Sequence, residues 1–227
     1  MILIIAAMDV ERDALKALGE NIQEKMIQDI PVVEMNLNGR DVVLSLSGVG
    51  KINAAFTTTL LCQTYQPDLI VNIGSAGGLQ TSQKVGDIVI ADHVFSHDFD
   101  IGPNTYSDTR FIYVPDALLS TKAYEVTKNL ELPTHMGVIV SGDQFITHGS
   151  DHLKRIQTHF PDAICVEMEA SAIGGVAKRL KVPFMILRSL SDVPLKDGNE
   201  VAFEKYLPIA SKNSAQITYE FIGALNE

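Results

Sequence analysis

The chain has 227 residues, 46% of them hydrophobic, which suits one compact α/β domain with a sizeable core. Its net charge of -10, with only 18 scattered Lys and Arg, argues against a nucleic-acid partner, because phosphate binding needs clustered cations. Two cysteines, Cys62 and Cys165, are too few for a disulfide framework and show no metal spacing. The apolar start at 1–7 is short, has no basic segment and meets acids at Asp9 and Glu11, unlike a signal peptide. No run approaches the roughly 20 apolar residues of a membrane span. A cytoplasmic protein without a membrane partner is expected.

In chain order, residues 2–6 read as a buried strand, with Asp9 as the expected N-cap of a helix over 10–18. Residues 32–37 and 41–46 read as a hairpin turned at Asn38-Gly39, a strong hairpin signal. Gly48-Val49-Gly50 opens a helix to about Tyr65, and 69–73 is the next buried strand. Gly74-Ser75-Ala76-Gly77-Gly78 follows, read either as a ligand-approach loop or as a tight turn. Extended segments are expected at 87–91 and near Val94, and a mobile polar loop at 101–110. A helix at 116–129 precedes a strand at 136–140 that ends in Ser141-Gly142-Asp143. A helix at 150–160, a short strand at 163–166 and a helix at 168–180 come next. An apolar run at 183–187 ends in Ser189, Ser191 and Asp192, and a long helix over 200–225 closes the chain.

This alternation predicts a central, twisted, mixed but mostly parallel sheet flanked by helices on both faces. In such folds ligands sit beyond the carboxyl ends of strands. Several strand ends carry small or polar residues, and in a parallel sheet they would lie on one side and converge. Asp192 would stand at the lip of a pocket within reach of Ser189 and Ser191, or else start a turn or cap the last helix. Glu167 and Glu169, about 200° apart if helical, are expected to split their roles: one faces the pocket, the other anchors the helix start. Phe145 is either a ring that stacks on a flat base or a core side chain; Met8 and Phe203 are either core or pocket wall. Six histidines offer no metal cluster, and no G-x-G-x-x-G, Walker Lys or G-x-S-x-G is present. What remains is a metal-free pocket with several carboxylates, the working parts of glycosidic bond cleavage.

The motifs Ala7-Met8 with Glu11, 47–51, 74–78, 85–89, 141–146, 166–170 and 188–192 fall in order along nearly the whole chain. In these the sequence resembles the bacterial 5′-methylthioadenosine/S-adenosylhomocysteine nucleosidases of the purine nucleoside phosphorylase/uridine phosphorylase superfamily. The resemblance implies a single nucleosidase domain over 1–227 with a nucleoside phosphorylase-like fold. It implies an adenine nucleoside as substrate, water as co-reactant, no cofactor and a place in methionine salvage. By the same resemblance Asp192 is the general acid at adenine N7, and Glu11 the base for water. Glu169 and the Met168 backbone hold the ribose hydroxyls. Phe145 stacks on adenine and the Ile146 backbone bonds its edge. Ser75, Ala76, Gly77 and Ser191 line the site, and Met8, Val49 and Phe203 shape the groove for the 5′ substituent. A homodimer is implied, with the 101–106 loop completing the neighbour's pocket. That loop departs from the family's usual aromatic-containing version, and the first strand has Ala6 where the family usually has Gly. A phosphate-dependent phosphorylase, a 6-amino-6-deoxyfutalosine hydrolase and a non-catalytic binding relative remain alternatives.

Overall fold

The computed structural model describes residues 1–225. Nine strands form one mixed sheet in the order β2-β3-β4-β1-β5-β8-β7-β6-β9, and β5 also pairs with β9. Strand β1 (Ile2–Ala6) is buried along its whole length between β4 (Arg40–Leu46) and β5 (Leu69–Gly78), parallel to both. Its side chains alternate between two cores. Ile2, Ile4 and Ala6 pack with Phe221 and Ile222 of α6 (Asn199–Ala224) and Leu15 of α1 (Asp9–Lys16). Leu3 and Ile5 pack with Ala54 and Leu61 of α2 (Lys51–Tyr65) and Ile173 of α5 (Ala170–Leu180). Helices thus cover both faces, as period-two burial of a central strand requires. A third cluster forms around α4 (Asp151–His159) and takes in Ile146.

The sheet departs from a simple parallel one in a way that builds the pocket. Strand β9 (Phe184–Asp192) runs parallel to β5. Strands β6 (Ile88–Ser96), β7 (Thr134–Ser141) and β8 (Ala163–Glu167) are parallel to one another. Where the two groups meet, at β6–β9 and β5–β8, the pairing is antiparallel. These pairings close β5, β8, β7, β6 and β9 into a ring. At the β5–β8 junction only Gly77 with Val166 and Gly78 with Cys165 pair, so the two strands meet at their C-terminal ends. The strand ends therefore converge because two parallel groups abut end to end, not because all strands point one way.

Other expectations need correction. The cluster Gly74 to Gly78 is neither loop nor turn; it continues β5, fully buried. Residue Met8, not Asp9, holds the N-cap position of α1. Strand β2 (Glu20–Ile27) was not foreseen: it is exposed almost throughout and has no apolar alternation. It exists through antiparallel pairing with β3 (Ile30–Leu37) and the Lys25–Glu34 contact across it. Charged residues on such an edge also discourage pairing with other chains. The hairpin turn at Asn38-Gly39 is as expected, with φ of 47° and 83° in the left-handed region. Helix α3 (Ala117–Asn129) is capped by Asp116, which accepts from Leu118 and Leu119 N–H at 3.0 Å each. The 101–110 segment, expected to be a polar loop, carries two short 3-10 turns, Thr105–Ser107 and Thr109–Phe111. Thr105 Oγ1 accepts from Ile101 N–H at 3.0 Å, and Tyr106 packs edge-on against Phe160 with ring centroids 4.8 Å apart.

The Phe221 ring, fully buried between α6 and β1, is expected to dominate the first core. Phe221→Ala should cost about 3–5 kcal/mol in urea unfolding, with an unchanged denaturant slope.

Candidate active site

A cavity of about 280 Å³ opens where the strand ends meet. The residues that the resemblance assigns to the site all line it: Met8, Glu11, Val49, Ser75, Ala76, Gly77, Phe145, Ile146, Met168, Glu169, Ser191, Asp192 and Phe203. Ala7, Gln144, Val166, Glu167, Arg188 and Pro194 line it as well.

Glu11 is buried and held on both oxygens. Oε2 accepts from the N–H groups of Ala7 and Met8 at 3.1 Å each. Oε1 accepts from Ser75 N–H at 2.8 Å and Ser75 Oγ at 3.0 Å. The sequence reason is local. Glu11 is the third residue of α1 and reaches back to the N-cap amide, the acidic half of a capping box. Gly74, at φ 147°, makes room for this. A Cβ there would lie 2.7 Å from Glu11 Oε1 and 2.4 Å from Arg188 Nη1. The glycine that seemed to admit a ligand admits the protein's own acid and guanidinium.

Glu167 and Glu169 divide their roles as expected. Glu167 Oε2 accepts from the Glu169 and Ala170 N–H groups at 3.0 and 2.8 Å, fixing the start of α5. Its Oε1 accepts from Ser141 Oγ. Glu169 Oε1 accepts from Gly50 N–H at 2.9 Å across the cavity floor. Yet both acids converge on one partner. Arg188, 1% exposed, donates through Nη2 to Glu167 Oε2, to Glu169 Oε2 at 3.3 Å and to Asn72 Oδ1 at 2.7 Å. Its Nη1 donates to Ile73 O at 3.2 Å. Burial pushes the Glu169 carboxyl up to about 7, against the opposing pull of Arg188 and with a further push from Glu167.

Asp192 faces Gly77 across a bulge in β9. Ala76 pairs with Leu190 and Gly77 with Asp192, which leaves Ser191 as the extra residue. Oδ2 accepts from Asn199 Nδ2 at 2.7 Å, and Oδ1 lies 3.0 Å from Ser191 Oγ. Ser189, expected nearby, instead donates to Gly86 O at 3.3 Å. Burial raises the Asp192 carboxyl to about 6, although both hydrogen bonds act the other way. Asp192 does not cap α6, whose N-cap is Gly198. Asn199 was missed from sequence: at the start of a polar stretch, nothing in its spacing marks it. It is buried, holds Asp192, and donates also to Ile146 O at 2.9 Å.

The mouth of the cavity is apolar. Phe145, 43% exposed, meets Phe203 edge-on with centroids 5.2 Å apart; Met8 and Val49 stand opposite. Ile146 is anchored in the third core cluster, so its backbone is fixed beside the ring. Arg188 is the one cation among the described lining residues, and its guanidinium is occupied by protein acceptors. Arg12, close in sequence, turns away to Asp9 at 2.9 Å and Asp13 at 2.8 Å. Among the described residues no group of three or more His, Cys, Asp or Glu is placed to hold a metal ion. His97 is buried and desolvation lowers it to about 4.

A cavity that gathers the carboxylates of Glu11, Glu169 and Asp192 beside an exposed aromatic ring has the parts that glycosidic bond cleavage uses. A family model described as "Phosphorylase superfamily" matches residues 1–223. A curated 5′-methylthioadenosine/S-adenosylhomocysteine nucleosidase of Psychromonas ingrahamii is 41% identical over 98% of each chain. That of Halalkalibacterium halodurans is 38% identical over 98% of this chain and 97% of the relative. Among solved structures, the Neisseria meningitidis nucleosidase of the same name, in complex with methylthio-immucillin-A, superposes with a TM-score of 0.91 at 32% identity over 98% of each chain. That of S. pneumoniae with the transition-state inhibitor MT-ImmA gives 0.92 at 31% identity over 99% of each. The chain belongs to the phosphorylase superfamily and, within it, to the 5′-methylthioadenosine/S-adenosylhomocysteine nucleosidase family.

Two measurements follow from this geometry. Asp192 and Glu169 bind protons more tightly folded than unfolded, so their contribution favours the fold below about pH 4 and is lost as pH rises through about 6 and about 7. The melting temperature of Asp192→Asn should therefore gain on the parent between pH 4 and pH 7.5; a constant difference across that range would refute the raised carboxyl. Gly74→Ala should destabilise by at least ~2 kcal/mol, since neither Glu11 nor Arg188 has room to withdraw.

Proposed function

We propose that this chain hydrolyses the N-glycosidic bond of 5′-methylthioadenosine and S-adenosylhomocysteine, releasing adenine and the 5-thio-ribose, as a single domain over 1–227. The observation that carries the choice of water over phosphate is the occupied guanidinium. Phosphate needs free cations, and the one cation among the described lining residues has both terminal nitrogens engaged with Glu167, Glu169, Asn72 and Ile73, while its Nε is buried without an acceptor.

In this reading Asp192 gives its proton to adenine N7 while the C1′–N9 bond breaks and its electron pair passes into the base. A carboxyl raised to about 6 by burial still carries a proton in part of the population near neutral pH. Water loses a proton to Glu11 and forms the new C1′–O bond. Four donors, two on each oxygen, hold Glu11 in place at the cavity wall. Glu169 and the Met168 backbone take the ribose hydroxyls. Phe145 stacks on adenine, and the Ile146 backbone bonds its edge beside the Asp192–Asn199 contact. Ser75, Ala76, Gly77 and Ser191 close the site around base and water, and Met8, Val49 and Phe203 receive the 5′ substituent. The reading needs no cofactor.

The same proposal places the enzyme in the cytoplasm as a homodimer, with the 101–106 loop of a second copy completing the pocket mouth. No helix among the described residues is long and apolar enough to cross a membrane. Equilibrium sedimentation reads the dimer; a monomer at micromolar concentration would remove that part.

Adenine release from 5′-methylthioadenosine should run at full rate in phosphate-free buffer and be unchanged by added phosphate. Release that depends on phosphate, with a ribose 1-phosphate as product, would make the chain a phosphorylase and undo the role of Glu11. Asp192→Asn should lose about 10²–10⁴-fold in kcat while still binding adenine, the range for a positioned general acid.

A further inference from the structure

The strand-end motif Ser141-Gly142-Asp143 was expected to point acids at the pocket, but Asp143 does not line it. Its carboxylate turns outward to the start of α2. Asp143 Oδ1 accepts from Lys51 N–H at 2.8 Å, while the neighbouring Gly50 N–H donates to Glu169 Oε1 at 2.9 Å. Two adjacent amides of one helix start are thus divided between two carboxylates, of which Glu169 lines the cavity and Asp143 does not. One belongs to the turn that leads into Phe145 and Ile146; the other is Glu169.

Surrounding groups lock this junction. Asp98 Oδ2 accepts from Asp143 N–H at 2.9 Å, and Lys51 Nζ pairs with Asp98 and reaches Asp143 Oδ2 at 3.9 Å. The His97 ring abuts the turn: a Cβ on Gly142 would fall 2.2 Å from its Nε2. Gly50, at φ 97°, sits so close that its own Cβ would meet Asp143 Oδ1 at 3.2 Å.

We propose that Asp143 is a positioning residue that sets the distance between the Phe145–Ile146 turn and the Glu169 carboxylate, through the N-terminal amides of α2. The inference rests on the function proposed above, in which the turn holds the base and Glu169 the sugar. A nucleoside spans both halves, whereas free adenine uses only one. Misplacement of one half by a fraction of an ångström penalises the two-point ligand selectively.

The test compares Asp143→Ala with Asp143→Asn, which keeps an acceptor for Lys51 N–H. Steady-state hydrolysis of 5′-methylthioadenosine is measured beside the Kd of adenine. Asp143→Ala should lower kcat/KM about tenfold or more, shift adenine Kd less than about threefold, and be largely rescued by Asn. Asp143→Ser, whose hydroxyl is one bond shorter than the carboxylate arm, is run alongside in case the Ala variant does not fold, and is held to the same expectation. Ala and Ser variants within about twofold of the parent would overturn the proposal. So would an Asn variant as defective as Ala, or an adenine Kd that rises by the same factor as kcat/KM falls, which would mark a purely structural role. A parent chain that releases no adenine at all would overturn the function first, and this inference with it.

Discussion

One buried cation organises the centre of this molecule. Arg188 sits on β9 with its guanidinium in contact with Glu167, Glu169, Asn72 and Ile73. A buried guanidinium is costly unless its charge is balanced and its donors are used. Here the balance comes from the two glutamates flanking Met168, which are themselves held by the first amides of α5 and by Gly50. Cation, helix start and the cavity-lining Glu169 carboxylate thus form one unit. Removing either partner would leave an unmatched charge where water does not reach, so the site and the fold depend on the same contact.

The opposed carboxylates owe their difference to what surrounds them. Glu11 lies among four donors supplied by a strand end and a helix start. Asp192 has two, an amide and a hydroxyl, within an otherwise apolar enclosure that lifts its affinity for a proton. Two acids in one cavity thus sit in different surroundings, set by packing alone.

Much of this was legible in the sequence. The buried strands at 2–6 and 183–187, the Asn38-Gly39 hairpin and the helix over 116–129 follow from periodicity and turn chemistry, and each is present. The site residues were read from ordered motifs, and all of them line the cavity. What escaped was non-local. Strand β2 has no apolar pattern because its stability lies in its partner's backbone. The extension of β5 through Gly74 to Gly78 could not be told from a turn, because its glycines answer to Glu11, Arg188 and Asp192, which are distant in sequence. Asn199 became visible only once α6 brought it against Asp192 and Ile146.

The end-to-end meeting of the two strand groups has a mechanical consequence. Strand β5 is joined to β9 by a long parallel ladder, but to β8 by only two residue pairs, and β6 meets β9 through three. The cavity straddles this suture: Ser75, Gly77 and Asp192 belong to one side, Glu167, Glu169 and the Phe145–Ile146 turn to the other. Beyond these few pairs the two groups are tied by the Arg188 contacts to Glu167 and Glu169 and by the bonds Leu190 N–H to Asp87 O and Leu79 N–H to Ile164 O. The seam of the sheet with the fewest ladder pairs therefore runs through the cavity itself, so the shape of the cavity depends on side-chain and loop contacts more than on strand pairing.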